Sequence, residues 1–180
     1  DIAKTALYRD NYAGTTLADW AFYSWAVPMQ TTGMTGTMQT PADYNKAPAT
    51  ENFGKDGANK DAILERYWNP RYNPARWPHM VTYTIGFSTD ATTWPGAPSI
   101  VAPPANDRLP FKFTGSFNDL VTGKETWPQM NAEDKRSLDL WHAAINGHGS
   151  YFSAKTPAAM ARGLADALNN LKVRNAAASA

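Results

Sequence analysis

The sequence contains no cysteine, which excludes disulfides and thiolate metal sites within it. Histidine is scarce as well: His79, His142 and His148 are the whole set. His142 and His148 flank Asn146-Gly147, no His-x-x-x-His pair occurs, and no carboxylate pattern of metal-ligand type lies nearby. No apolar run approaches the roughly 20 residues that span a bilayer. Net charge is only +1, with lysine and arginine scattered, so neither nucleic acid nor an anionic membrane is strongly attracted. A phosphate loop and a Gly-x-Gly-x-x-Gly turn are both missing, which leaves nucleotide binding without support.

What is present fits one α/β domain. The 180 residues are 43% hydrophobic, enough for a sizeable core, while a mean hydropathy of -0.50 suits long polar loops. Residues 16 to 27 read as a helix, with Thr16 as N-cap, Asp19 completing a capping box, and Pro28 ending it. Residues 28 to 60 are rich in Thr, Gly, Pro and Ala and read as an extended surface excursion. A short helix is expected over Lys60 to Tyr67, then a turn-rich stretch from Asn69 to Pro74. Val81 to Phe87 is the best strand, β-branched and aromatic. A second proline-rich excursion fills residues 88 to 110, and Leu109 to Phe117 suggests a short strand.

A further helix covers Glu133 to Asn146, with Leu138, Trp141 and Ile145 as its buried stripe and Gly147 as a left-handed stop. Tyr151-Phe152 is strand-like. Thr156 and Pro157 open a last helix whose apolar face is Met160, Leu164, Leu168 and Leu171, and Asn175 to Ala180 reads as a frayed tail. Strand, helix, strand, helix is the signature of a right-handed parallel βαβ unit. Two strands make a marginal sheet, and parallel strands want neighbours on both sides. The expectation is that further strands come from sequence upstream of Asp1 or from another chain.

Candidate chemistry is sparse. Ser137, Ser150 and Ser153 lie near the histidines without a Gly-x-Ser-x-Gly elbow. Asp119 and Glu125 flank a turn and would be the carboxylate pair of a hydrolase, with His142 as a further candidate. Asp56 to Asp61 has the look of a calcium loop but lacks its alternating acids and its Glu six residues beyond the glycine; a polar turn explains it better. Seven tryptophans and eight tyrosines are many. Trp20, Trp25 and Trp141 fall in helices and are expected in the core. Trp68, Trp77, Trp94 and Trp127 fall in loops, where pinning and partner contact are equal alternatives; a carbohydrate-binding module would use such aromatics.

Three stretches carry a resemblance. Leu140-Trp141-His142-Ala143-Ala144-Ile145-Asn146-Gly147-His148-Gly149-Ser150-Tyr151-Phe152-Ser153-Ala154 resembles a hallmark run of the PilY family. His79-Met80-Val81-Thr82-Tyr83-Thr84-Ile85-Gly86-Phe87 is similar to the family's strand, and Thr16-Leu17-Ala18-Asp19-Trp20-Ala21 to its helix. The three occur in family order. The resemblance implies a partial von Willebrand A-like, Rossmann-type three-layer sandwich over residues 1–175, with insertions at 28–60 and 88–131 and a tail at 176–180. It implies a non-enzymatic type IV pilus assembly and adhesion module, extracellular, at the pilus tip or outer-membrane surface of a Gram-negative bacterium. Its implied partners are minor pilins or other tip proteins and a host or surface receptor. The Asp-x-Ser-x-Ser metal loop of such domains is absent, and the family's Thr-Asp-Gly strand would fall before Asp1. No metal ligand carries over to a numbered residue, and no catalytic or cofactor residue is expected; a divalent cation would belong only to a complete module.

Overall fold

The computed structural model describes residues 2–10, 12–29, 42–87, 117–131, 133–154 and 156–178. Helix α1 spans Ile2–Tyr8 and α2 spans Leu17–Ala26. The α2 N-terminus carries the expected capping box: the Thr16 hydroxyl accepts from Asp19 N, and Asp19 Oδ2 accepts from Thr16 N at 2.9 Å. Val27, held extended before Pro28, is the C-cap. Helix α1 was not foreseen. Its seven residues carry no capping signal, and it is held by burial of Ala3, Leu7 and Tyr8.

The described part of the expected surface excursion carries regular structure. Helix α3 spans Ala42–Lys46, and strand β1 (Thr50–Lys55) pairs antiparallel with β2 (Asp61–Glu65). The expected helix over 60 to 67 is therefore this strand followed by a 3-10 turn at Arg66–Trp68. Period-two burial decides the matter: Ala62 and Leu64 point inward while their neighbours face out. A bulge lies between Asn52 and Lys55, where Gly54 adopts φ 118°.

Strand β3 (Thr84–Phe87) and strand β4 (Tyr151–Ala154) pair in parallel, Thr84 opposite Tyr151 and Ile85 opposite Phe152. Among the described residues this sheet has two strands. Helix α4 spans Phe117–Val121, so the end of the expected strand over 109 to 117 is helical and the rest lies outside the described residues. Helix α5 (Glu133–Asn146) leads into β4, and α6 (Pro157–Ala178) follows it. Helix α6 continues into the expected tail as far as Ala178.

Successive strand residues face opposite sides of a sheet, and both sides are covered. Tyr151 enters the main core with Trp141 and Ile145 of α5. Phe152 meets Gly163 of α6, where an added Cβ would lie 3.2 Å from the Phe152 Cβ. Helices α5 and α6 thus lie on opposite faces, a mixed α/β arrangement. The main core joins α1, β2, α4, α5 and Tyr151 and includes the buried Trp127.

One expected apolar face is inverted. Met160, Leu164 and Leu168 of α6 are 44%, 53% and 51% exposed, while Gly163 and Ala167 are buried and Gly163 lies against Phe152 of β4. The small residues let the helix backbone come close to β4, and this rotates the long side chains outward. The Leu171 side chain lies outside the described residues.

Candidate functional site

The residues from Asp139 to Phe152 form a buried node on which α1, α2, α5 and the sheet converge. Asp139, Ala143 and Asn146 follow i, i+4, i+7 spacing, so one side of α5 presents all three. Both Asp139 carboxylate oxygens accept from the first turn of α2, Oδ2 from Leu17 N at 2.8 Å and Oδ1 from Ala18 N at 3.1 Å. A carboxylate suits the positive end of a helix. Ala143 packs against Ala18 and Ala21, and these small side chains let α2 and α5 approach closely. Asn146 Nδ2 donates to the carbonyls of Tyr8 at 3.2 Å and Ala18 at 3.1 Å, tying both N-terminal helices to the end of α5.

The turn after α5 is equally constrained. The left-handed residue is His148, φ 52°, rather than Gly147. Glycine is required at 147 and 149 for space. A Cβ on Gly147 would fall 2.5 Å from Thr82 Cβ, and one on Gly149 would collide with the Thr82 carbonyl. The chain before β3 occupies that space, with Thr82 N donating to Gly147 O at 3.2 Å.

The three histidines do not converge. His148 is fully buried, stacks on Trp25, and sets Nδ1 2.7 Å from the Tyr72 carbonyl. His79 Nδ1 lies 2.6 Å from the Trp77 carbonyl. His142 is buried against Trp127, rings 4.2 Å apart, and neither ring nitrogen reaches a hydrogen-bond partner. Burial lowers its pKa to about 3; the nearby Tyr8 and Leu7 backbone and the Asp19 charge offset only part of this. Among the described residues no cluster of three His, Cys, Asp or Glu could hold a metal ion.

The remaining candidates are also dispersed. Ser150 Oγ is buried without a hydrogen-bond partner, so no histidine activates it; the side chains of Ser137 and Ser153 lie outside the described residues. Asp119 lies 3.9 Å from Lys124 Nζ, and its carbonyl accepts from Glu125 N. Asp56 closes the β1–β2 hairpin, Oδ1 accepting from Ala58 N and Lys60 N, while Asp61 pairs with Lys55 at 2.8 Å. Lys55 and Asn52 lower the Asp61 pKa.

Three acidic side chains surround the start of α2. Burial raises the pKa of Asp139, against the two backbone donors, with Asp10 and Asp19 adding to the rise. Burial also raises that of Asp10.

The tryptophans divide by role. Trp25, Trp127 and Trp141 are buried. Trp127 Nε1 donates to Leu7 O at 2.9 Å and Trp77 Nε1 to Trp25 O at 2.8 Å, so both pin loops. Trp94 lies outside the described residues. Trp20 corrects the expectation of a core residue: it is 60% exposed, and Tyr23 beside it 58%, with ring centroids 6.3 Å apart. Ala18, Ala21 and Trp25 take the packed side of α2, which turns Trp20, Tyr23 and Val27 to solvent. Met80 N donates to Ser24 O and Met29 N to Pro78 O, placing two more exposed apolar residues at the end of this face.

Trp68 is half-buried in a cleft between α1 and α2 that sequence reasoning missed. Lys4, Thr5, Tyr8, Arg9, Asp19, Phe22 and Trp68 line about 360 Å³ of space. Only the periodicity of α1 and α2 hints at it, and the two helices carry no sign of which faces meet.

No family model matches the chain, and no solved structure matches it. Three type IV pilus biogenesis factors PilY1 of Pseudomonas aeruginosa do. The chain is 36% identical over 177 residues to that of strain PAO1, 33% over 177 to that of strain PAK, and 29% over 181 to that of strain UCBPP-PA14. Each comparison covers 96% of this chain and 13% of the relative, so the chain spans a small part of the relatives' length. The match runs through all three motifs, and with it the chain is a relative of the PilY family.

Proposed function

We propose that this chain is a non-enzymatic type IV pilus assembly and adhesion module, working outside the cell at the pilus tip or outer-membrane surface. The observation that carries the reading is the outward Trp20–Tyr23 pair on α2, continued by Val27, Met29 and Met80. Tryptophan and tyrosine dominate protein-binding hot spots, and contiguous exposed apolar groups mark interaction surfaces. The occupant proposed for this face is a pilin-class subunit of the tip, since the relatives are named as pilus biogenesis factors. In the same reading residues 1–175 are the C-terminal part of a von Willebrand A-like sandwich. Further parallel strands beside β3 or β4 would extend beneath the exposed Met160, Leu164 and Leu168 ridge of α6.

The test is a binding titration of the chain against the purified minor pilins of its own bacterium. Trp20→Ala/Tyr23→Ala should weaken binding about tenfold or more while leaving the thermal midpoint unchanged. Absence of binding by the unsubstituted chain, or equal binding by the variant, contradicts the proposal.

A further inference from the structure

Independently of the pilin-facing surface, the cleft between α1 and α2 has the makings of a ligand site. Three rings form its floor. Tyr8 stands edge-on to Phe22 and to Trp68, both at 5.6 Å, and Phe22 lies near-parallel to Trp68 at 6.1 Å and 21°. The floor is fixed in place, because the Tyr8 hydroxyl donates to the Trp68 carbonyl at 2.9 Å. A volume of about 360 Å³ falls in the range of small ligand pockets and holds one large side chain with its backbone.

The charged groups at the mouth differ in how far protein partners already hold them. Lys4 lies over the Trp68 ring at 5.2 Å and is held by Glu65 at 2.7 Å. Asp19 is committed to the α2 cap. Arg9, exposed immediately after α1, has no carboxylate within ion-pair distance among the described residues. The cleft therefore offers an apolar aromatic floor beside one uncommitted guanidinium, a group suited to a bidentate carboxylate. We infer that the α1–α2 cleft binds a peptide segment that presents an aromatic side chain next to a carboxylate, the ring on Tyr8, Phe22 and Trp68 and the carboxylate on Arg9. The mainly apolar lining favours such an anchor over a sugar, whose many hydroxyls would need polar partners that the floor lacks.

The probes are N-acetyl-phenylalanine as its carboxylate, its neutral primary amide, and a methyl glucoside, titrated into the 15N-labelled 180-residue chain and followed by NMR. The carboxylate should bind saturably in the millimolar range, shifting the Trp68 indole and Arg9 side-chain signals, with the amide about tenfold weaker. Arg9→Gln should remove the preference for the carboxylate, and Thr5→Trp, an exposed position at the mouth, should block binding by filling the cleft. Both variants should retain the spectrum of the folded chain away from the cleft. No saturable shift with the carboxylate, equal binding of acid and amide, or tighter binding of the glucoside would each overturn the proposal.

Discussion

The imidazole of His148 lies flat on the indole of Trp25, ring centroids 3.7 Å apart and planes 6° from parallel. One ring belongs to the left-handed residue after α5, and the other comes from α2, more than 120 residues earlier in the chain. Their contact fixes the end of α5 against the end of α2. The same imidazole reaches the Tyr72 carbonyl through Nδ1. His148→Ala should therefore cost about 2–4 kcal/mol, from lost aromatic packing and the lost contact between Nδ1 and the Tyr72 carbonyl. Urea unfolding measures it, and a cost below 1 kcal/mol would show that the stack is incidental.

His142 predicts a pH dependence. Its pKa is about 3 in the folded chain and near 6.5 when unfolded. Between those values the unfolded chain binds a proton that the folded chain does not, so stability is fully present above pH 6.5 and falls as pH drops. Over the whole window the loss is on the order of 3–5 kcal/mol. Asp10 and Asp139, with raised values, act in the opposite direction as they protonate, so the comparison with a variant isolates the histidine. His142→Phe keeps the ring on Trp127 and removes two unpaired nitrogens. It should be at least as stable at pH 7 and show a shallower decline in urea midpoint from pH 6.5 to 4. A parallel decline would mean that His142 is not the titrating group.

Trp141 and Gly149 test the node from two sides. Trp141→Ala should cost about 3–5 kcal/mol, as for other buried large aromatics. Gly149→Ala adds one methyl group yet should cost about 1–3 kcal/mol, because the Thr82 backbone must move. Thermal or urea unfolding of both variants is the check; a neutral Gly149→Ala would show that the turn has slack.

The legible parts of this fold were those coded locally. The capping box at Thr16 and Asp19, the Pro157 helix start and the β-branched run before Phe87 all act within a few residues. Residues 61 to 65 are too few to separate alternation from a helical turn by pattern alone, and pairing with β1 makes the choice. Trp20 and Trp25 look alike on the α2 sequence, and only the docking of Ala18 and Ala21 onto Ala143 decides which faces in. Likewise Gly163 and Ala167, among the smallest residues of α6, are buried while its long apolar side chains face out. The family motif was legible as a string, whereas its physical meaning was not: the partners of Asp139 and Asn146 lie some 120 to 140 residues away.

Asp139→Ala should loosen α2 specifically. It removes two charge-assisted acceptors from the helix start and should cost about 1–3 kcal/mol, with Asp139→Asn milder because one oxygen remains. Hydrogen exchange at Leu17 and Ala18 is the readout, and protection unchanged in Asp139→Ala would remove the residue from its capping role.

The central claim is that the outer face of α2 docks a pilus protein. The most direct measurement is the number of surface pili on cells whose own PilY-type protein carries Trp20→Ala/Tyr23→Ala, compared with unaltered cells at equal protein level. The account predicts fewer pili with the variant protein still folded and exported. Unchanged piliation at equal protein level would contradict it.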